Sequence, residues 1–115
     1  MDLDPGCLFC KIIEGVIPAQ IIFRNENVVA FRDITPQAPT HVLLVPTLHL
    51  PNAGELAKLS PTVLGALFTA ASEIAKLEGL DGYRTVFNTG ASVGQSVFHV
   101  HLHLLGGRPF SWPPG

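Results

Sequence analysis

The sequence has few charged residues and no run of either sign. Only 14% of its 115 residues are charged, and seven basic residues against nine acidic ones give a net charge of −2. A protein that holds a nucleic-acid backbone usually carries a basic patch, so nucleic-acid binding is not expected. Because 47% of the residues are apolar, part of the surface must be apolar, which suits a subunit of an oligomer.

Long apolar runs and a leader pattern are also missing. No window reaches the ~18 uninterrupted apolar residues of a membrane-spanning helix. Residues 1–6, which are expected to be flexible, are acidic and lack the basic-then-apolar order of a signal peptide. A cytoplasmic protein with no membrane partner is therefore expected. A chain of this length provides one domain with one modest core, here residues 1–115.

Cysteine is scarce, since Cys7 and Cys10 are the only two in the chain. In a reducing compartment, a C-x-x-C pair is more often a pair of thiols or metal ligands than a structural disulfide. By itself this spacing is a weak signal. A redox pair and an incidental pair therefore stay open beside a metal site.

Hydrophobic periodicity predicts strands separated by turns and helices. Two β-branched runs on either side of an Asn-bearing turn predict a hairpin, and a run that is apolar on both sides predicts a central strand. The predicted strands are 21–24, 28–32, 41–46, 83–88 and 95–105. They predict an antiparallel sheet of about five strands.

One long helix is predicted to begin at Ser60 and Pro61 and to end at Gly79, because serine is a good N-cap and glycine a good C-cap. Residues 7–16 predict a short helix or turn, and residues 54–58 a single helical turn within a loop. One long and one short helix packed on an antiparallel sheet define an α+β fold.

The strongest chemical signal is a run of three histidines, each separated by one apolar residue. Because side chains alternate along a strand, His99, His101 and His103 would share one face. Same-face neighbours on a strand lie roughly 7 Å apart, so the three rings could surround one small anion or metal. The residues predicted to face the core are Phe98, Val100, Leu102 and Leu104.

A loop rich in small residues, 89–96, leads into this strand. Its glycines let a ligand approach the main chain, and successive free N–H groups can hold a phosphate. Imidazole is a nucleophile and an acid–base group near neutral pH, so attack on phosphorus through a phosphohistidine-type intermediate is chemically available. A flexible hairpin loop remains the alternative interpretation of this segment alone.

The run His-φ-His-φ-His-φ-φ at 99–105 resembles the signature of the histidine triad (HIT) superfamily. From about residue 8 to the end, the chain is similar to the HINT branch, the purine nucleoside phosphoramidases. The segments that carry this similarity are 31–34, 36–41, 94–97, 106–108 and 112–115. The resemblance implies a HIT-like homodimer in which two five-stranded sheets join into one of ten strands, with the tail 107–115 at the dimer interface.

The resemblance implies hydrolysis of a purine nucleoside 5′-phosphoramidate, of the adenosine 5′-monophosphoramidate type, to a nucleoside monophosphate and an amine, with no cofactor required for catalysis. His101 corresponds to the nucleophile and His103 to the residue that holds the phosphate oxygens. His99 and His41 correspond to residues that orient the nucleophile, and Ser96 to a contact with the phosphate or leaving group. The implied nucleotide-binding residues are Leu8, Phe9, Ile12, Phe31, Asp33, Ile34, Asn88, Gly94, Gln95 and Ser96.

These residues also have structural interpretations. Asp33 could cap the turn that follows it, Asn88 could close a turn, and His41 could be a structural histidine of a central strand. The apolar residues could simply be core. For the whole protein, the alternatives are a dinucleoside polyphosphate hydrolase or nucleotidyl transferase, and a nucleotide-binding scaffold without catalysis.

The C-x-x-C pair is missing from many eukaryotic HINT proteins but present in many bacterial relatives. The resemblance implies a structural Zn²⁺ held by Cys7, Cys10, His49 and His99, and such a Cys₂His₂ set suits tetrahedral zinc. His99 would then serve the metal in place of the phosphate. His101 would still carry the chemistry.

Overall fold

A five-stranded antiparallel sheet forms the centre of the computed structural model, which describes residues 2–115. Its strands are β1 Ile21–Arg24, β2 Val28–Arg32, β3 Thr40–Pro46, β4 Tyr83–Val86 and β5 Leu102–Gly106. Their order across the sheet is β1-β2-β3-β5-β4. The predicted α+β class and antiparallel sheet are confirmed, although β4 ends two residues earlier than predicted.

Among residues 2–115, three α-helices complete the fold: α1 Leu8–Ile13, α2 Ala53–Leu59 and α3 Pro61–Leu77. The start of α3 is as predicted, because the Ser60 hydroxyl accepts a hydrogen bond from the Val63 N–H at 3.2 Å. Its end is also as predicted, since Gly79 follows with a left-handed φ of +70°. Within residues 2–115, every helix is too short or too polar to cross a membrane.

The helix α2 is longer than the single turn predicted for 54–58. The side chain of Asn52 caps it by accepting from the Glu55 N–H at 3.0 Å. A capping residue followed three positions later by an acidic one is a helix-start signal that the sequence does contain.

The two faces of the sheet have separate apolar cores. The α3 face is covered by α2 and α3, and the α1 face by α1. The core of the α3 face includes Val28, Ala30, Val42, Leu44, Leu56, Leu67, Ile74, Leu102 and Leu104. The core of the α1 face consists of Cys7, Phe9, Cys10, Ile12, Val29, Phe31, Leu43 and Val45. Because side chains alternate, β2 and β3 supply both cores.

The last strand begins later than predicted. Residues 97–101 are irregular, and β5 starts only at Leu102. The Val100 N–H donates to the Leu50 carbonyl at 2.7 Å instead of to a strand partner. Val100 and Leu102 are buried as predicted, but Phe98 is 49% exposed, so its prediction as a core residue was wrong.

An ion pair joins the end of β2 to the residue that follows α3. Arg32 Nη1 donates to Glu78 Oε1, and the Thr40 hydroxyl donates to the same oxygen at 3.4 Å. The hydrogen bond from Arg32 lowers the pKa of the Glu78 carboxyl, and Glu78 raises the pKa of Arg32. Since Arg32 and Thr40 flank the loop 33–39, Glu78 ties the two ends of that loop together.

We expect Glu78→Gln to lower the free energy of unfolding at neutral pH and to have little effect in acid. The pKa of Glu78 is lower in the folded protein than in the unfolded chain. The stabilisation is therefore present above the unfolded pKa of ~4.3 and lost as pH falls through the folded pKa. Urea unfolding at neutral pH and at about pH 3 measures it.

The matched control is Glu55→Gln, which removes an exposed helical pair with Lys58 and should change little at either pH. An equal loss for Glu78→Gln at both pH values would contradict the ion-pair explanation.

Candidate functional site

A cavity of about 500 Å³ opens on the α1 face of the sheet. Its lining combines apolar side chains with imidazole, carboxylate, amide and hydroxyl groups. The predicted site residues that line it are Leu8, Phe9, Ile12, Phe31, Asp33, Ile34, Asn88, Gly94, Ser96, His101 and His103. Such a lining suits a ligand with an apolar ring and a polar or anionic group.

Strand register places three of the lining residues in one row. Phe31 of β2 pairs with Leu43 of β3, and Leu43 pairs with His103 of β5. Side chains of directly paired residues share a face of the sheet, here the α1 face. Asp33 follows β2 in the same alternation, and its Oδ1 accepts from the Thr35 N–H at 2.9 Å.

The helix α1 supplies one part of the apolar wall, with Leu8, Phe9 and Ile12. The ring centroid of Phe9 lies 5.4 Å from that of Phe31 and 5.0 Å from that of His101, and both pairs are T-shaped. Leu8 is 44% exposed and Ile34 is 96% exposed, so both lie at the rim. Ile34, one of the implied nucleotide-binding residues, therefore lies at the mouth of the cavity.

Backbone carbonyls fix the tautomers of two triad histidines. His99 Nε2 lies 3.0 Å from the Pro46 carbonyl oxygen, and His101 Nδ1 lies 2.8 Å from the His99 carbonyl oxygen. A carbonyl can only accept, so each of these nitrogens carries a proton. Burial lowers the pKa of His101, which keeps its ring neutral. His101 Nε2 therefore has a free lone pair.

His41 is buried beneath His103. Its Nε2 lies 2.9 Å from His103 Nδ1 and 3.4 Å from Asp33 Oδ2, and its Nδ1 accepts from the Gln37 N–H at 3.0 Å. Burial lowers the pKa of both imidazoles, to about 4 for His103. The His41–His103 and Gln37–His41 separations are hydrogen-bond lengths. A hydrogen-bonded chain therefore runs from the loop 33–39 to the cavity wall.

The side chain of Gln95 is bonded to backbone groups of its own loop and of Pro51, and it does not line the cavity. Its carbonyl accepts from the Gly90 N–H at 2.9 Å, and its amide donates to the carbonyls of Pro51 at 2.6 Å and Val97 at 3.1 Å. It is only 4% exposed. The structure thus separates Gln95 from the other predicted nucleotide-binding residues, because its buried amide bonds to backbone groups of Pro51, Gly90 and Val97.

His99 is also separated from the cavity, because its ring turns toward the two cysteines. The donor atoms of Cys7, Cys10, His49 and His99 all lie within 4.8 Å of one another. His99 Nδ1 is 3.5 Å from Cys7 Sγ and 3.4 Å from Cys10 Sγ, and His49 Nδ1 is 3.3 Å from Cys10 Sγ. Tetrahedral zinc, with Zn–S ~2.3 Å and Zn–N ~2.0 to 2.1 Å, separates its ligand atoms by roughly 3.3 to 3.8 Å. The four residues therefore fit a tetrahedral metal.

The surroundings of this Cys/His cluster also suit a cation. Burial raises the pKa of the Cys10 thiol to about 11, so a thiolate there needs a positive partner. The Asp4 N–H donates to Cys10 Sγ at 3.3 Å, and the Asp4 carboxylate lies 3.9 Å from His49 Nε2. A carboxylate or carbonyl on the outer nitrogen of each histidine is the usual support for a metal ligand.

Part of the cavity wall was missing from the predicted site. Leu43 lines the cavity two residues after His41, so strand alternation could have identified it. Val97 and the segment 17–20 also line it. The segment 17–20 has no regular structure, and its place depends on how the chain folds back, so no local pattern reveals it.

Residues 14–110 match the HIT domain family. The chain belongs to the HIT family. The recognition of a histidine triad protein from its histidine run is thereby confirmed.

Similar proteins extend over nearly the whole chain. The 14 kDa zinc-binding protein of Zea mays is 48% identical over 115 residues, which are 97% of this chain and 90% of that protein. Purine nucleoside phosphoramidase of Escherichia coli K12 is 46% identical over 104 residues, 89% of this chain and 87% of that protein. The structure of a HIT family hydrolase from Clostridium thermocellum matches with a TM-score of 0.90 at 40% identity, covering 94% of this chain and 96% of the other.

We expect Gln95→Ala to destabilise the protein by about 1 to 3 kcal/mol, because it removes three hydrogen bonds made by a buried side chain. Urea unfolding measures the change. The matched control is Ser96→Ala, one residue further on and exposed, which should leave stability within about 0.5 kcal/mol. Equal stability of the two variants would contradict the bracing role of Gln95.

Proposed function

We propose that this HIT protein hydrolyses purine nucleoside 5′-phosphoramidates, of the adenosine 5′-monophosphoramidate type, to a nucleoside monophosphate and an amine. The observation that carries the proposal is the neutral His101 ring on the cavity wall, whose Nδ1 proton is held by the His99 carbonyl. Its Nε2 is free to attack an electrophile. The 46% identity to a protein named purine nucleoside phosphoramidase supports this substrate class.

The two sides of the cavity suit the two ends of such a substrate. The purine would pack against the apolar wall that Phe9 and Phe31 build, with Leu8, Ile12 and Ile34 around it. The carboxylate of Asp33, which is 15% exposed, would accept the ribose hydroxyls. The groups left for the phosphate are those of Asn88, Gly94, Ser96 and His103.

The reaction would then take two displacements. His101 Nε2 attacks the α-phosphorus, the P–N bond to the amine breaks, and the amine leaves with the electron pair and takes up a proton. Water next attacks the nucleotidyl-His101 and gives up a proton, the P–N bond to the ring breaks, and the monophosphate leaves. The His99 carbonyl accepts a hydrogen bond from the His101 Nδ1–H in both steps, so it stabilises the positive ring of the intermediate.

We also propose that the Cys/His cluster holds a structural Zn²⁺. The donor geometry fits zinc, and the maize relative is named a zinc-binding protein. When bound, the ion would link the start of α1 to His99, and the reaction itself would need no metal.

A homodimer also belongs to this proposal. β4 is one edge of the sheet, and Tyr83 on it is 45% exposed. An unpaired antiparallel edge can extend a sheet into a second copy, which would give the ten strands expected. The tail 107–115 would lie at that interface.

We expect His101→Ala to lose at least about 10³-fold of the phosphoramidase activity, because it removes the atom that forms the covalent intermediate. The assay measures AMP release from adenosine 5′-monophosphoramidate, and intact mass after acid-free quenching detects the nucleotidyl adduct. Both signals should disappear together in the variant.

Three other outcomes would contradict the proposal. Turnover that survives His101→Ala would exclude this residue as the nucleophile. Faster hydrolysis of a diadenosine polyphosphate than of the phosphoramidate would favour the polyphosphate hydrolase. AMP binding without turnover in the wild type would favour a scaffold.

For the metal, we expect about one zinc ion per chain after purification without chelator, as measured by inductively coupled plasma mass spectrometry. Cys10→Ser should lose the zinc and lower the melting temperature, because a buried ligand is replaced. His103→Ala, outside the Cys/His cluster, should keep the zinc. Zinc-free wild type, or zinc retained in Cys10→Ser and lost in His103→Ala, would show that this cluster does not hold it.

A further inference from the structure

We infer that the backbone N–H of Gln37 is a positioning group that sets the proton on His103. Acting through His41, it makes His103 present an Nε2–H donor to the cavity. The contact between this donor and a phosphate rests on the proposed function. The assignment of the protons does not depend on that function.

The first step is the tautomer of His41. The Gln37 N–H donates to His41 Nδ1 at 3.0 Å. A peptide N–H can only donate, so His41 Nδ1 carries a lone pair and no proton. A neutral imidazole has one N–H, and on His41 it must therefore be at Nε2.

The second step transfers this constraint to His103. His41 Nε2 lies 2.9 Å from His103 Nδ1, and the Asp33 carboxylate is further away at 3.4 Å. The N–H at His41 Nε2 points to His103 Nδ1. His103 Nδ1 must therefore accept a hydrogen bond, and it carries no proton of its own. The proton of neutral His103 is left at Nε2.

The alternative protonation state of His41 is disfavoured by its surroundings. A doubly protonated ring would direct an Nδ1–H at the Gln37 N–H, two donors 3.0 Å apart. The ring is also 5% exposed, which disfavours the charged form. His41 therefore stays neutral and acts as a one-way link between the loop and the cavity.

The consequence concerns an anionic ligand. A bare nitrogen on His103 would repel phosphate oxygens, whereas an N–H donates to them and does so more strongly as charge develops. His101, 5.1 Å away between ring centroids, has the opposite tautomer with its lone pair at Nε2. Backbone groups thus make His103 the donor, through the Gln37 N–H, and His101 the nucleophile, through the His99 carbonyl.

The direct test is NMR of the free protein labelled with ¹⁵N-histidine. Long-range ¹H–¹⁵N correlations distinguish bare from protonated ring nitrogens. We expect a bare Nδ1 and a protonated Nε2 on both His41 and His103. A protonated Nδ1 on either ring would overturn the inference.

Two variants at residue 37 test the source of the constraint. Gln37→Pro removes the N–H, and Gln37→Ala keeps it, while both lose the side-chain hydrogen bond to the Thr35 carbonyl. We expect Gln37→Pro to change the ring nitrogen signals of His41 and His103 and to lower kcat at least about tenfold relative to Gln37→Ala. The KM should change less than kcat. Unchanged signals and kcat in a folded Gln37→Pro protein would overturn the role of Gln37.

A second pair of variants, at residue 41, tests the same inference if the proline variant does not fold. Glutamine can place an amide N–H near the position of His41 Nε2, and leucine cannot. His41→Gln should therefore preserve the His103 Nε2–H signal, and His41→Leu should lose it. The same tautomer populations in both variants would overturn the relay. Since the spectra need no substrate, an inactive wild type with the expected tautomers would refute the proposed reaction alone.

Discussion

The irregular backbone of residues 97–101, immediately before β5, is the constraint on which the rest of the site depends. A regular strand from residue 95 would place all three triad histidines on one face. Here the His99 ring turns to the cysteines instead, and the His99 carbonyl accepts a hydrogen bond from the His101 Nδ1–H, with 2.8 Å between nitrogen and oxygen. One residue thereby serves the Cys/His cluster with its side chain and the proposed nucleophile with its main chain.

This arrangement also explains how a very short helix can form one wall of the cavity. A six-residue helix such as α1 is not stable by itself. Cys7 and Cys10, at its start, lie in the Cys/His cluster, and Phe9 between them packs on both Phe31 and His101. The cluster and the apolar contacts therefore fix the same helix from two sides, and the apolar wall depends on both.

The features that the sequence predicts correctly are those decided by residues close to one another in the chain. The cap at Ser60, the hairpin and the central strand, apolar on both sides, are local features, and they agree with the structure. The HIT family was recognisable because its signature is one contiguous run. The break before β5, the inward turn of Gln95 and the segment 17–20 depend on contacts with distant residues, such as the Pro51 carbonyl, so no local pattern could reveal them. The roles of the individual site residues stay predictions.

Proton positions were beyond sequence analysis for the same reason. Two of the groups that fix them, the Pro46 carbonyl and the Gln37 N–H, belong to segments far from the triad. Burial keeps the rings neutral, and these backbone groups fix which nitrogen carries the proton. Charged imidazoles this close would repel one another, whereas neutral ones can take opposite tautomers. In the proposed reaction, neutrality is therefore what would allow His101 and His103, side by side, to act as nucleophile and donor.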